Sequence, residues 1–251
     1  MRILRAEWTK LRSVRSTWLT AGSTLLATAA ISLLGVFGLT ADWRADLPDG
    51  WDPTAIGFKG LLVGQLLMAM LGASVITSEY STGMIVGSLS IVPRRSHLLA
   101  AKAGALALIA LPTAILTVAV TFGASQLAIA GGGIQAASLG DPGVLGAVLG
   151  AVAYLTLIAF LGLAFGVITR SSTGTLGIIV VVALLVPALT PALSGQVGEA
   201  IGTYWPTSAG QAAYAVIQTG SVSPWVGGVV LGLFTLYSTV ASHLALRRRD
   251  A

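Results

Sequence analysis

Cysteine is absent from the 251 residues, histidine occurs twice and lysine three times. Without cysteine there is neither a disulfide framework nor a thiolate metal site. His97 and His243 lie on remote segments, so no His-rich metal site is expected. None of Lys10, Lys59 and Lys102 follows a glycine; the pattern G-x-x-x-x-G-K-[ST] does not occur, and with it goes a P-loop. H-E-x-x-H and G-x-S-x-G are missing too, which leaves His243 a helix-end residue placed favourably against the dipole rather than the base of a hydrolase. No catalytic residue stands out, and catalysis by this chain is not expected.

Charge is the other scarcity. Only 9% of residues are charged against 55% hydrophobic, where soluble domains carry about a quarter charged. With a mean hydropathy of +0.88, a water-soluble fold of this size would have to hide more apolar surface than it has interior to hide it in. Lipid must be the solvent for much of the surface. The net charge of +5 would point to nucleic acid only if the basic residues formed one water-facing patch; they are instead distributed by topology, and no nucleic-acid partner is expected.

A spanning helix takes about twenty apolar residues, and six runs qualify, at about 17–40, 57–77, 103–130, 143–168, 173–193 and 224–245. The join TRSST at 169–173 is short enough to require antiparallel neighbours. Under this six-span reading twelve of the fourteen Lys and Arg residues fall on one side, and only Arg44 and Lys59 on the other. The second side carries Asp42, Asp46, Asp49, Asp52, Asp141 and Glu199. Five or seven spans would scatter this segregation. Basic residues mark the cytoplasmic side, so both termini are expected there. The first run has a basic flank and an A-x-A-like Ala27-Thr28-Ala29, but its length exceeds the 7–15 apolar residues of a signal peptide. It reads as a span.

Residues 2–15 precede it as RILRAEWTKLRSVR. On a helix Leu4, Trp8 and Leu11 share a face, Arg5, Thr9 and Arg12 oppose it, and Glu7 reaches Lys10 at i+3. An apolar stripe with Trp and a basic face suits a helix lying among lipid headgroups; a basic tail that only sets orientation is the plainer alternative. Inside the spans, Gln65 and Gln126 are the main polar side chains. Interhelical hydrogen bonding is the reading favoured for them, and lining of a path the alternative. Gly146 and Gly150, Gly162 and Gly166, and Gly228 and Gly232 have small-xxx-small spacing, a weak signal among 31 glycines. Pro112, Pro187 and Pro191 are expected to kink or break their helices.

Two segments between spans are neither membrane nor ordinary loop. Residues 194–223 are long and apolar for a connector; Ala200–Tyr204 and Ala209–Ile217 read as short helices, with Thr207 or Ser208 as an N-cap and Tyr204, Trp205 and Tyr214 at interface depth. The stretch VITSEYSTGMIVGSLSIVPRRSHLLAAK (75–102) is polar at Ser78-Glu79-Tyr80-Ser81-Thr82-Gly83 and apolar again from Met84 to Val92, too short to span, before Pro93 stops it. A loop with orientation-setting arginines accounts for Arg94 and Arg95 but not for that apolar segment. A short amphipathic element folded back beneath the bilayer accounts for both.

EWTKLRS (7–13), TSEYSTGMI (77–85), PRRSHLLAAK (93–102) and YWPTSAGQA (204–212), in this order, give the chain a resemblance to the permease subunits of bacterial ABC-2 type ABC transporters along essentially its whole length. The resemblance implies one all-α permease domain over 1–251: six transmembrane helices, an N-terminal amphipathic interface helix (2–15, with Arg5, Trp8, Leu11 and Arg12), a cytoplasmic coupling helix between spans two and three, and short re-entrant helices before span six. It implies a separate ABC ATPase subunit that holds ATP and Mg, a second permease copy, identical or related, and a place in the bacterial cytoplasmic (inner) membrane. Carried onto this chain, Glu79, Tyr80, Ser81, Thr82 and Gly83 become the ATPase-contacting element: Glu79 offers a carboxylate to the partner and Gly83 permits a sharp turn. The implied function is export, with cofactors on the partner and none in this chain. An apolar path without fixed charges suits a lipid-like or amphipathic cargo. A membrane anchor or sensor, holding a partner without moving a substrate, is the alternative.

Overall fold

The computed structural model describes residues 2–42, 51–85, 87, 95–193, 195–217 and 222–249. All regular structure among them is helical, and six helices are long and apolar enough to cross a membrane. They run over Arg15–Gly38, Leu61–Ser81, Arg95–Gly131, Val144–Thr169, Ser172–Ala192 and Pro224–Arg247, spans one to six. Large aliphatic side chains stay exposed on them, Leu34 at 70% and Leu127 at 76%. In water such a surface would aggregate, whereas in a bilayer it is the solvated face.

The observed helices depart from the expected bounds in two places, each with a local cause. Span two starts at Leu61 rather than near residue 57 because Pro53–Gly57 forms a separate turn of helix. Asp52 caps that turn, its Oδ1 accepting from the Thr54 N–H at 2.9 Å and the Ala55 N–H at 3.1 Å, while Pro53 opens it without a wasted donor. Span three starts at Arg95, eight residues before the apolar run, since nothing between Ser96 and Lys102 breaks a helix.

More of span two is buried than of any other span, and glycines let its neighbours approach. A Cβ on Gly72 would overlap the carbonyl oxygen of Ala159 on span four, and one on Gly162 would overlap that of Ala69 on span two. The spacing of Gly162 and Gly166 therefore does mark a helix contact, and Gly150 packs on Ala213. Gly146 and Gly232 have no atom within 4 Å of a Cβ and mark none. Span one turns a stripe of Thr17, Thr24, Thr28 and Ser32 inward; Ser32 Oγ accepts from the Gly60 N–H at 3.0 Å.

Span five changes register. Its α-helix, Ser172–Val180, passes into a π-turn at Val181–Leu185, an α-turn at Val186–Leu189 and a 3-10 turn at Thr190–Ala192. In the π-turn the Val186 N–H bonds Val181 O. The next donor in that register would be residue 187, which is proline and has no N–H to offer Val182 O. Two side chains fill it: Trp205 Nε1 donates at 2.6 Å and the Thr207 hydroxyl at 2.9 Å.

Both donors come from the segment before span six, where Gln196–Tyr204 and Pro206–Ala212 are helical. The second helix starts at Pro206, with Trp205 at its N-cap. Thr207 is thus not the cap expected from sequence; its hydroxyl is committed to span five. Tyr214 likewise turns inward, 5.3 Å from the Tyr154 ring and 6.0 Å from Phe58.

Candidate functional site

The polar end of span two lies where four other parts of the chain meet. Val75, Ile76 and Thr77 are buried and Ser78 is exposed, but Glu79, one residue further on, turns back inward with a side chain only 4% exposed. Burying a carboxylate is costly unless it is paired. Glu79 Oε1 accepts from Lys102 Nζ at 2.7 Å and from Lys10 Nζ at 2.9 Å. Lys102, on span three and 1% exposed, also donates to Glu7 Oε2 at 2.8 Å and to Val75 O at 3.3 Å. Lys10 closes the ring on Glu7 Oε1 at 3.0 Å. Two acids and two bases from three helices cancel in charge; Glu7, Glu79 and Lys102 are buried, and Lys10 closes the ring from the exposed side.

Burial pulls the Lys10 pKa down, but the hydrogen bonds and charges of Glu79 and Glu7 outweigh it and leave the value above the ordinary one. Glu79 Oε2 is buried and accepts no hydrogen bond among the described residues.

On the other flank, span two holds the turn between spans four and five. Thr77 Oγ1 and Ser172 Oγ are 2.7 Å apart, and the Arg170 guanidinium lies 5.2 Å from the centre of the Tyr80 ring. Arg170 has φ 57°, the left-handed conformation that lets span four stop and span five restart within three residues. Span three is tied to span six beside this, Arg95 donating to the carbonyls of Leu246 and Arg247. The lysines and arginines at 10, 95, 102 and 170 are so gathered at one end of the bundle.

Past Glu79 the chain turns outward. Ser81, Thr82, Gly83 and Met84 are exposed. Ser81 and Thr82 spend their hydroxyls on Ser78 O, at 3.0 and 2.8 Å, which closes the helix end. Gly83 takes φ 71°, the turn for which glycine is suited. The expected coupling segment thus divides. Its carboxylate, assigned to a partner protein, is occupied inside the chain, while Ser81 to Met84 face out. Pro93, Arg94 and most of the apolar segment Met84–Val92 lie outside the described residues.

In the N-terminal helix, Arg2–Ser13, Leu11 is buried, Trp8 half-buried, and Arg5 and Arg12 exposed. Glu7 shares the inward face, a position that the amphipathic pattern alone does not reveal. Gln65 is fully buried and accepts from the Tyr154 hydroxyl across spans two and four. Gln126 donates to Pro53 O at 3.1 Å and accepts from the Ala137 N–H at 2.8 Å. Both glutamines serve contacts within the chain.

Six apolar spans, with a charge knot and an exposed polar tip at one end of the bundle, define an all-helical, multi-pass membrane protein. The chain belongs to the ABC-2 family of transporter proteins: the model of the family described as "ABC-2 family transporter protein" matches residues 3–187. The match takes in the N-terminal helix, the knot and most of span five; the segment 204–212 and span six lie beyond it. No curated protein matches the chain. Membership makes the chain a membrane component of a transport system, a class that associates with ABC ATPases and permease partners.

Proposed function

We propose that the chain is the permease of an ABC exporter, driven by a separate ATPase subunit and paired with a second permease copy in a bacterial cytoplasmic membrane. Both termini and the charge knot face the cytoplasm, where the basic residues belong. The N-terminal helix lies along the headgroups, and the short helices before span six cap the opposite surface.

The observation that carries this reading is the double attachment of residues 77–80. Glu79 ties span two to the N-terminal helix and span three, while Thr77 and Tyr80 tie it to the turn between spans four and five. A push on the exposed tip Ser81–Gly83 reaches four elements through contacts already made. In this mechanism the ATPase seats the tip, Glu79 and Tyr80 transmit its movement, and span two shifts against span four along their close glycine contact. The ATP and Mg belong to the partner. Among the described residues no charged side chain lies in the middle of a span, which supports a lipid-like or amphipathic cargo.

The test is co-expression with a candidate ABC ATPase subunit, purification and reconstitution in liposomes. Thr82→Glu with Met84→Glu at the tip should abolish co-purification. Glu79→Gln should keep the ATPase bound and lose substrate-stimulated hydrolysis. A wild-type complex that binds its ATPase and never shows stimulated hydrolysis is an anchor, and the transport reading fails.

A further inference from the structure

Between the N-terminal helix, span one and span three lies an apolar groove of about 450 Å³. Trp8 and Trp18 wall one end, Gly22 and Leu25 continue it along span one, and Leu108 and Leu116 form the facing side. Trp18, Leu108 and Leu116 are each about half exposed, at 52%, 51% and 56%, so the groove opens sideways to the solvent of the spans, which is lipid. From Trp18 to Leu25 it follows about 10 Å of helix axis. The Trp18 indole N–H donates to Arg12 O at 3.0 Å, which fixes this ring at the corner between the N-terminal helix and span one.

The corner is basic. Arg12 and Arg15 are exposed and form no ion pair among the described residues. Lys10, by contrast, is committed to Glu7 and Glu79. An apolar trough with tryptophans at its mouth, and two exposed arginines three and six residues before Trp18 with long side chains that can reach the headgroup layer, are the features that recognise a lipid with a negative head. We propose that this groove holds one acyl chain of an anionic phospholipid of the adjoining leaflet, its phosphate against Arg12 and Arg15. The site is separate from the charge knot, although Trp8 lies one residue from Glu7. Its occupant would therefore bear on the docking of the N-terminal helix. The inference rests on the headgroup placement of that helix and not on the ATPase partner, so failure of either reading leaves the other testable.

The experiment is quenching of tryptophan fluorescence in dioleoylphosphatidylcholine vesicles doped with dibrominated phosphatidylglycerol or dibrominated phosphatidylcholine. The Trp18 share is taken as the difference between wild type and Trp18→Phe. It should be half-quenched at a lower mole fraction of the brominated phosphatidylglycerol than of the phosphatidylcholine, by roughly fivefold for each arginine engaged. Arg12→Gln with Arg15→Gln should erase the preference while leaving quenching by both lipids. Gly22→Leu should reduce quenching by either, because Gly22 lines the trough and a Cβ there meets no atom within 4 Å, which leaves room for a side chain to occupy it. Identical curves for the two lipids, or quenching unchanged by Gly22→Leu, would overturn the proposal. So would cysteine cross-linking through position 22 that joins two copies of the chain, since a second protomer would then be the occupant.

Discussion

Glu79 and Lys102 face one another at 2.7 Å with side chains 4% and 1% exposed, although one ends span two and the other lies in the first turns of span three. A buried pair of this kind stabilises little against an apolar substitute but is costly to break from one side. Glu79→Gln leaves Lys102 buried with Glu7 as its remaining carboxylate partner, and should cost about 3–5 kcal/mol. Glu79→Leu with Lys102→Met removes one charge of each sign and leaves the Glu7–Lys10 pair neutral. That double variant should stay within roughly 1 kcal/mol of wild type. Thermal unfolding in detergent compares the three proteins.

Lys10 sets the pH behaviour of the same knot. Its pKa is raised in the folded chain, so its stabilisation is complete below the ordinary lysine value of about 10.4 and fades only as pH rises through the higher folded value. The docking of the N-terminal helix, followed by Trp8 emission, should be flat from about pH 6 to 9 and loosen above about pH 10.5. Lys10→Gln should remove the alkaline step. A transition near neutral pH that survives this substitution would assign the docking to another group.

Close packing of spans two and four predicts that glycines of like appearance behave in opposite ways. Gly72→Leu drives a side chain into the backbone of Ala159 and should cost 3 kcal/mol or more, about the upper range of overpacked cores. Gly146→Ala meets nothing within 4 Å and should stabilise by roughly 0.5–1 kcal/mol through better helix propensity. Unfolding midpoints of the two variants, measured side by side, separate the contact from the general effect of adding a methyl group.

The six spans were legible because lipid imposes a length, and the expected bounds differ from the observed ones mainly where polar residues continue a helix. Lys102 illustrates the limit. Counting basic residues by side treats it as one more loop cation, and the apolar run begins just after it. The structure instead places it inside span three, buried. The signal lay in the acids: Glu7, Glu79 and Asp250 are the only carboxylate side chains on the basic side of the six-span reading. Two of these sit within otherwise apolar or basic stretches, which is reason to look for buried cations. That Glu7 and Lys102 meet could not be read, since it depends on how a separate helix packs against two others. The contact of Gly162 with Ala69, by contrast, follows a spacing visible in sequence but indistinguishable there from the idle Gly146 and Gly232.

Span five offers the sharpest test of cause. Pro187 denies Val182 O the donor that the π-register would supply, and Trp205 with Thr207 take its place. Thr207→Val with Trp205→Phe should leave that carbonyl without its side-chain donors and cost about 1–3 kcal/mol. Pro187→Ala restores a backbone N–H in reach of Val182 O. In that background the same double substitution should cost less, by at least about 1 kcal/mol. The comparison is a thermodynamic cycle on unfolding midpoints. Equal costs in the two backgrounds would show that Trp205 and Thr207 stabilise by packing alone, and that the π-turn arises without regard to the segment before span six.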